Sequence, residues 1–268
     1  MNTLNQNRCK NSNSTLFLFG ITVVTIVTLL ASLPAFANST DLGNSWYWSY
    51  GGSGNPTQWG RIGKDFALCE FGKSQSPINI KNPVAGRPLD IDFDYKPSPL
   101  VVVNNGHTIQ VNYEQGSSVH INGEKYFLLQ FHFHTPSEHT INSRASALEL
   151  HLVHRNDRGE LAVVGVLLTE GDANPVIEQV WQNIPEIGKT NAVSDRLINA
   201  IDLLPRSKAY YSYVGSLTTP PCSEEVKWNL LVEPMTISQE QIAIFTKIYQ
   251  VDARPIQLTN GRSIELHR

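Results

Sequence analysis

The sequence lacks a concentrated run of basic residues, internal repeats and two common hydrolase motifs. Its 21 lysines and arginines are outnumbered by 24 aspartates and glutamates, and they form no basic patch of the kind that binds nucleic acid. Neither HExxH nor GxSxG occurs, which argues against a zinc peptidase and a serine hydrolase. The chain is 41% hydrophobic and 17% charged, values typical of a globular protein and not of a disordered one. We therefore expect a globular domain with no nucleic-acid partner.

Residues 1–37 have the pattern of a secretory signal. A segment with two basic residues precedes an uncharged apolar run over 16–33, and an Ala-Phe-Ala cleavage pattern ends at Ala37. The alternative is a retained membrane anchor, because a run of this length can span a bilayer. We expect cleavage after Ala37, a mature domain over 38–268, export to the periplasm or the medium, and no stable membrane insertion afterwards.

Cysteine is scarce as well. Cleavage of the signal removes Cys9 and leaves Cys69 and Cys222. Two cysteines in an oxidising compartment are expected to pair, and two separate buried thiols are the alternative. A disulfide that closes so long a loop stabilises the fold by roughly 4–5 kcal/mol at most on the chain-entropy model.

The pattern of the mature chain is mostly that of β-strands. Residues 38–65 are rich in glycine, serine, asparagine and aromatic residues and predict an irregular arm packed by its tryptophans. From residue 77 to about residue 168, apolar and polar residues alternate, and turn signals occur at 104–106, 122–123 and 157–159. This region predicts a series of strands joined by short turns.

Helical patterns appear only in the last third of the chain. A helix over 176–184 is predicted because Asn174 is a good N-cap and a proline follows it. A second helix is predicted over 194–203, and a third from Ser238 to about residue 249, where a capping box opens it. The outline is a strand-rich domain with a few peripheral helices.

Two alternating segments carry histidines in a pattern typical of a metal site. Gln130, His132 and His134 lie on one face of a strand, and Glu149 and His151 share a face of a second strand. If the strands are neighbours, three imidazoles converge and leave the fourth corner of a tetrahedron to water, as in catalytic zinc sites. The glutamine and the glutamate are placed to accept from the second ring nitrogen of a ligand. The alternative is a set of histidines buried for structural reasons.

Six motifs then carry a resemblance to a known family. They are SQSPINI (74–80), NNGH (104–107), QFHFH with SEH (130–139), ELHLVH (149–154), LAVVGV (161–166) and GSLTTPP (215–221). Their order and spacing resemble the alpha-class carbonic anhydrases, from about Trp46 to Arg262. The resemblance implies a mostly β, α+β fold: a single domain around a large, mostly antiparallel twisted central sheet with short peripheral helices.

The resemblance also implies the activity and the cofactor. It implies a lyase that hydrates carbon dioxide reversibly to bicarbonate and a proton, by attack of a zinc-bound hydroxide and removal of the proton through a histidine shuttle. The substrates are then carbon dioxide, bicarbonate and water, and a homodimer is left open.

Roles for single residues follow from the same resemblance. Zinc would be held by His132, His134 and His151, and Thr218 would accept from the hydroxide and donate to Glu138. The other implied positions are the substrate-binding wall of Val153, Val163, Leu217, Thr218, Thr219 and Trp228, the proton shuttle His107, the water-ordering residues Tyr50, Asn105 and Gln110, the buried structural histidine His139, the Cys69–Cys222 disulfide, and cis bonds before Pro77 and Pro221.

Two other classes of protein share parts of this pattern. In a cupin, Glu138 would bind the metal directly, which suggests iron or manganese and an oxidoreductase. The glycines expected to flank that motif are replaced by Tyr126 and Ala145, and no second cupin motif occurs. A non-catalytic binding module related to the anhydrases generally lacks a zinc histidine, whereas all three are present here.

Overall fold

The computed structural model describes residues 48–88 and 90–268. The predicted signal, its cleavage site and Cys9 lie outside these residues. Among the described residues, no helix is both long and apolar enough to cross a bilayer.

The described residues form fifteen strands and four short α-helices, together with three 3₁₀ turns. The strands are β1 Asn79–Ile80, β2 Val84–Ala85, β3 Ile91–Asp94, β4 Ser98–Asn104, β5 Ile109–Asn112, β6 Ser118–Ile121, β7 Glu124–His134, β8 Thr140–Ile141, β9 Leu148–Arg155, β10 Leu161–Glu170, β11 Lys189–Ile198, β12 Tyr210–Ser216, β13 Glu224–Leu231, β14 Met235–Ile237 and β15 Glu265–His267. The helices are α1 Trp59–Ile62, α2 Leu68–Phe71, α3 Pro175–Trp181 and α4 Gln239–Ile248.

Thirteen of the strands form one sheet, with the order β11-β4-β5-β7-β9-β10-β13-β12-β15-β2. Strands β3 and β6 extend it beside β7, and β14 pairs with β10. Most neighbours are antiparallel, and the parallel pairs are β10 with β13, β10 with β14 and β2 with β15. The predicted large, mostly antiparallel sheet with peripheral helices is confirmed.

The long strand β7 separates the main core from the candidate site. Phe131 and Phe133 are fully buried in the main hydrophobic cluster, where aromatic rings of α3 and α4 pack against Phe133. Gln130, His132 and His134 alternate with them and therefore face the opposite side. One face of the strand thus anchors the sheet, and the other presents polar side chains.

The predicted turns are present where they position this strand. Asn122 and Gly123 have φ angles of 52° and 77° and join β6 to β7, as in the tight hairpin turns that favour Asn-Gly. Gly159, with a φ of 85°, turns the chain between β9 and β10. The predicted cis bonds before Pro77 and Pro221 are also present, and a third precedes Pro136.

The helix predictions are right at two of three places. Asn174 caps α3, which ends at Trp181, three residues before the predicted end. Ser238 and Gln241 form the predicted capping box of α4. The helix predicted over 194–203 is wrong: its first half is the end of β11, and a 3₁₀ turn over Ala200–Leu203 follows.

Two further regions refine the sequence expectations. Strands β12 to β15 follow residue 168, where the pattern predicts mainly helices. The described part of the N-terminal arm includes the short helix α1, and its aromatic rings pack as predicted, with Trp48 5.2 Å and Tyr50 5.7 Å from the buried ring of Trp59.

Candidate metal centre

Adjacent strands bring three histidines together. In the antiparallel pair of β7 and β9, His132 lies directly opposite His151, and His134 is two residues further along its strand. One ring nitrogen from each lies within 4.8 Å of the others. The rings of His134 and His151 are almost completely buried, each with 1% exposure. The predicted convergence of the three imidazoles is confirmed.

Two of the rings hydrogen-bond to the acceptors that the sequence suggests. His132 donates from Nδ1 to Oε1 of Gln130 over 2.9 Å. His151 donates from Nε2 to Oε1 of Glu149 over 2.8 Å. Both acceptors lie two residues before their histidine, on the same face of the strand, so the contact is local. Each bond fixes the ring and leaves the other nitrogen as a lone pair.

The third ring has a partner that the sequence analysis missed. His134 donates from Nδ1 to the main-chain oxygen of Asp252 over 2.7 Å, and Oδ1 of Asp252 accepts from the backbone N–H of Thr135 over 2.6 Å. Burial raises the pKa of Asp252 to about 7. This aspartate lies 118 residues from its partner in sequence, so no local pattern marks it.

The donor set fits a metal cation. Among the described residues, the ring nitrogens that form no hydrogen bond are Nε2 of His132, Nε2 of His134 and Nδ1 of His151, and Nε2 of His134 is also buried. Burial lowers the pKa of His132 and of His151, so these rings are neutral, the form that binds metal. The pKa of His134 is raised: burial lowers it, but the carboxylates of Glu138 and Asp252 outweigh that effect. Three imidazole nitrogens that converge and leave a fourth position for water suit zinc.

A buried network extends behind His151. Glu149 accepts from Nδ1 and from the backbone N–H of His139, both over 2.7 Å, as well as from His151. The other ring nitrogen of His139 meets the hydroxyl of Tyr213 at 2.6 Å, which in turn contacts Ser76. Although burial raises the pKa of Glu149, His139 and His151 hold it well below its ordinary value. This carboxylate therefore stays charged as an acceptor for both rings.

Glu138 lies beside the histidines but lacks the hydrogen bond that was predicted for it. Its Oε1 accepts from the backbone N–H of Arg254 over 2.8 Å, while Oε2 lies 3.6 Å from Nε2 of His134 and 3.9 Å from Nδ1 of His151. Oε2 is buried without a hydrogen bond among the described residues. Thr218 is buried, but the predicted hydrogen bond from its hydroxyl to Glu138 is not formed in this structure.

The apolar residues assigned to the substrate wall lie together. Val163 on β10 is opposite Val153 on β9 and opposite Trp228 on β13, so the three side chains form a row across neighbouring strands. Leu217 packs against the same cluster, and the ring of Trp228 lies 4.8 Å from that of His151. The row therefore borders the histidines. Thr219, half-buried, follows in the same loop.

The candidate proton shuttle is held by an aromatic ring. The imidazole of His107 stacks on Trp48 with ring centres 3.7 Å apart and planes 8° apart. Burial lowers the pKa of His107. Oδ1 of Asn105 accepts from the backbone N–H of His107 over 2.9 Å, and Gln110 pairs across the sheet with the candidate ligand His132. Trp48 is a contact that the sequence analysis did not assign.

A disulfide anchors the loop that carries Thr218. Cys69 and Cys222 are bonded, which confirms the expected pairing and is consistent with an exported protein. The backbone N–H of Cys222 donates to the oxygen of Thr219 over 2.8 Å, and the oxygen of Cys69 accepts from Arg254 over 2.9 Å. The loop is therefore fixed on both sides.

Comparison with known proteins places this geometry in a family. Residues 54–267 match the family model described as eukaryotic-type carbonic anhydrase. A carbonic anhydrase of Pectobacterium carotovorum is 42% identical over 241 residues, which cover 89% of this chain and 97% of the relative. Among solved structures, a hyperthermostable carbonic anhydrase from an active hydrothermal vent chimney matches with a TM-score of 0.81 at 45% identity, over 83% of this chain and all of that one. The alpha-carbonic anhydrase of Thermovibrio ammonificans in complex with the inhibitor sulfanilamide matches with a TM-score of 0.80 at 39% identity, with 83% and 100% coverage.

Proposed function

This chain belongs to the eukaryotic-type, alpha-class carbonic anhydrase family, and from that premise we propose how its residues share the work of the reaction. The enzyme hydrates carbon dioxide reversibly to bicarbonate and a proton, and the family's metal is zinc. The observation that carries this conclusion is the convergence of three buried imidazoles, each with its second nitrogen held by an acceptor.

His132, His134 and His151 are the residues that would hold zinc. When bound, zinc lowers the pKa of a water molecule to about 7, an effect for which carbonic anhydrases are the standard example. Carbon dioxide is small, apolar and uncharged, so binding it supplies little energy, and the rate depends on a nucleophile that exists at neutral pH. Gln130 and Glu149 keep two of the rings in the tautomer that presents a lone pair.

The apolar row binds the substrate. Val153, Val163, Leu217 and Trp228 offer a surface without hydrogen-bonding groups toward the site, apart from the indole N–H of Trp228, which donates to the oxygen of Ser216. Carbon dioxide gains from such a surface, and water does not. Thr219 lines the polar side, where the charged product has to leave.

Thr218 and Glu138 orient the attacking water. The hydroxyl of Thr218 accepts a hydrogen bond from that water and donates its own hydrogen to Oε2 of Glu138, so that one lone pair faces the carbon. The support for this role is the buried Oε2, which has no other donor among the described residues and therefore remains available to a hydroxyl.

His107 takes the proton away from the site. An imidazole suits this task because its ordinary pKa, about 6.5, lies close to neutrality. Tyr50, Asn105 and Gln110 order the water between this ring and the histidines, and Asn105 also fixes the turn that carries His107. The stacked ring of Trp48 sets the orientation from which the proton leaves.

Metal analysis of the purified protein, paired with a stopped-flow assay of carbon dioxide hydration, tests the function. We expect stoichiometric zinc, rapid hydration, and loss of activity when a sulfonamide is added or the metal is removed by chelation. A fully zinc-loaded protein without hydration activity would contradict the function, and activity that survives complete removal of metal would contradict the site.

The N-terminal segment is cleaved as a signal, and the mature enzyme over 38–268 works in the periplasm or the medium without stable membrane insertion. The disulfide supports this location because such bonds persist in oxidising compartments. The mass of the exported protein should correspond to a chain that begins at Asn38. A full-length chain recovered from membranes would show that the anchor alternative holds. Light scattering of the same sample distinguishes a monomer from a homodimer.

A further inference from the structure

A groove at the far edge of the sheet has the chemistry of an anion site. Its volume is about 460 Å³, within the range of pockets that hold small molecules. It lies between the segment that includes β1 and β2 and the loop that leads into β15, and it is lined by Asn79, Lys81, Asn82, Val84, Thr259, Gly261, Arg262, Ser263 and Ile264. We call it the Lys81–Arg262 groove. Five strand spacings separate β2 from β9, roughly 24 Å, so the groove is separate from the metal centre.

In the described part of the chain, no carboxylate lies within ion-pair distance of either cation of the groove. Neither Lys81 nor Arg262 forms an ion pair among the described residues, and no acidic residue lines the groove. Among the acids nearby, Glu265 lies 3.5 Å from His267, and Glu224 accepts from Ser74 and Gln75 and attracts Arg262 from beyond ion-pair distance. The groove is therefore a local positive site on a chain whose net charge is −3.

Arg262 is held in place before any ligand arrives. Its guanidinium donates to four main-chain oxygens, those of Thr259, Val214, Gln75 and Leu258, at 2.8 to 3.0 Å. These acceptors fix the position of the group but carry no charge, and one of the five N–H groups of an arginine remains unused. Burial lowers the pKa of Arg262, while Tyr213 and Glu224 act in the opposite direction. A rigid cation with an unused N–H group favours a bound oxyanion.

Neutral donors and an apolar floor complete the groove. The side chains of Asn82, Thr259 and Ser263 form no hydrogen bond among the described residues, so all three are available to oxygen atoms of a ligand. Val84 and Ile264 supply apolar surface beside them. We propose that the Lys81–Arg262 groove binds small molecules that carry a phosphate or sulfate group, with the tetrahedral dianion between the two cations and the rest of the molecule on the apolar floor.

Calorimetric titration of the zinc-loaded enzyme tests this proposal. The titrations use inorganic phosphate, phenyl phosphate and uncharged phenol, with excess sulfanilamide present to occupy the metal centre. We expect saturable binding of both phosphates and none of phenol. Tighter binding of phenyl phosphate than of inorganic phosphate identifies an ester as the ligand, and equal affinity identifies free phosphate.

Variants locate the binding. Lys81→Gln should weaken the affinity for phenyl phosphate by about tenfold, the effect of one charge-assisted hydrogen bond, and Ser263→Ala should weaken it by a smaller factor. Lys64→Gln, which removes an exposed lysine outside the groove, should change nothing, and all three variants should keep full carbon dioxide hydration. Absence of saturation at millimolar phosphate, or affinities that Lys81→Gln and Ser263→Ala leave unchanged, would overturn the proposal.

Discussion

The partners of the candidate ligands show what single residues reveal in a sequence. Gln130 and Glu149 were predictable because positions two apart in a strand share a face, so each acceptor is local to its histidine. Asp252, the partner of His134, was not predictable, because only the folded chain brings its carbonyl to the ring. The stacking of Trp48 on His107 was not predictable for the same reason.

His151→Ala should abolish zinc binding. The change removes one of three ligand nitrogens, so the metal is bound more weakly. It also leaves Glu149 charged and buried without one of its hydrogen-bond donors. Elemental analysis should find little zinc, and hydration should be lost. His120→Ala, at a half-buried histidine on β6 outside the site, is the matched control and should retain both. Full zinc content in His151→Ala would contradict the assignment.

Glu138→Gln separates an orienting role from a metal-binding role. If Glu138 orients the attacking water through Thr218, the variant keeps its zinc and loses most of its turnover, on the order of a hundredfold or more for a group that acts in the transition state. Zinc content and the hydration rate are measured on the same preparation. Loss of metal together with activity would indicate direct coordination by the carboxylate and favour the cupin-like alternative.

His107→Ala should slow turnover mainly in weak buffer. The attack on carbon dioxide does not need this ring, but the removal of the proton does, so added imidazole should restore the rate. The pKa of His107 is lowered by burial, and Trp48→Ala, which removes the stacked ring, should move it back up toward about 6.5. NMR titration measures that shift, and stopped-flow assays with and without imidazole measure the rescue. A variant as fast as the wild type in weak buffer would rule out the shuttle.

At the scale of secondary structure, local signals predicted what local interactions determine. The N-cap at Asn174 and the capping box at Ser238 lie where the sequence indicated them, since a cap bonds only within one helical turn. The helix predicted over 194–203 failed because pairing with β4 overrides its periodic apolar residues, and a bulge between Val193 and Leu197 breaks the strand alternation that would have indicated β11.

Asn174→Ala should destabilise α3 and with it the contact to α4. The side chain of Asn174 accepts from two backbone N–H groups at the start of the helix, and its loss should lower the free energy of unfolding by about 1–2 kcal/mol. Urea unfolding measures the change. Asp172→Ala, in the exposed turn just before the cap, should have little effect. Equal stabilities of the two variants would show that the cap contributes nothing measurable.

At the scale of the whole molecule, a histidine outside the metal centre should control acid stability. His154 is fully buried, contacts the hydroxyl of Tyr95 at 2.7 Å, and has its pKa lowered by burial to about 3. In the unfolded chain the pKa is about 6.5, so below that pH the unfolded state binds a proton that the native state refuses. The contribution of His154 to the free energy of unfolding is present above about pH 6.5 and is lost as the pH falls toward 3.

The size of this effect can be measured by difference. Between pH 6.5 and 5, the free energy of unfolding should fall by about 2 kcal/mol because His154 binds a proton only in the unfolded state. His154→Gln cannot gain the proton, so its stability should fall less steeply over that interval, while effects of the metal centre are common to both proteins. Denaturant unfolding at several pH values gives the two curves. Parallel curves would show that the native state accommodates a charged His154.

The bond between His134 and Asp252 has a consequence for the order of synthesis. Translation delivers all three candidate zinc ligands long before it delivers the carbonyl that orients one of them, because 118 residues separate the two partners. The carbonyl and the Arg254 amide that holds Glu138 both come about 100 residues after His151, the last of the three ligands in the sequence. A nascent or prematurely terminated chain would therefore carry the imidazoles without their supports, and a working catalytic centre requires synthesis at least as far as Arg254.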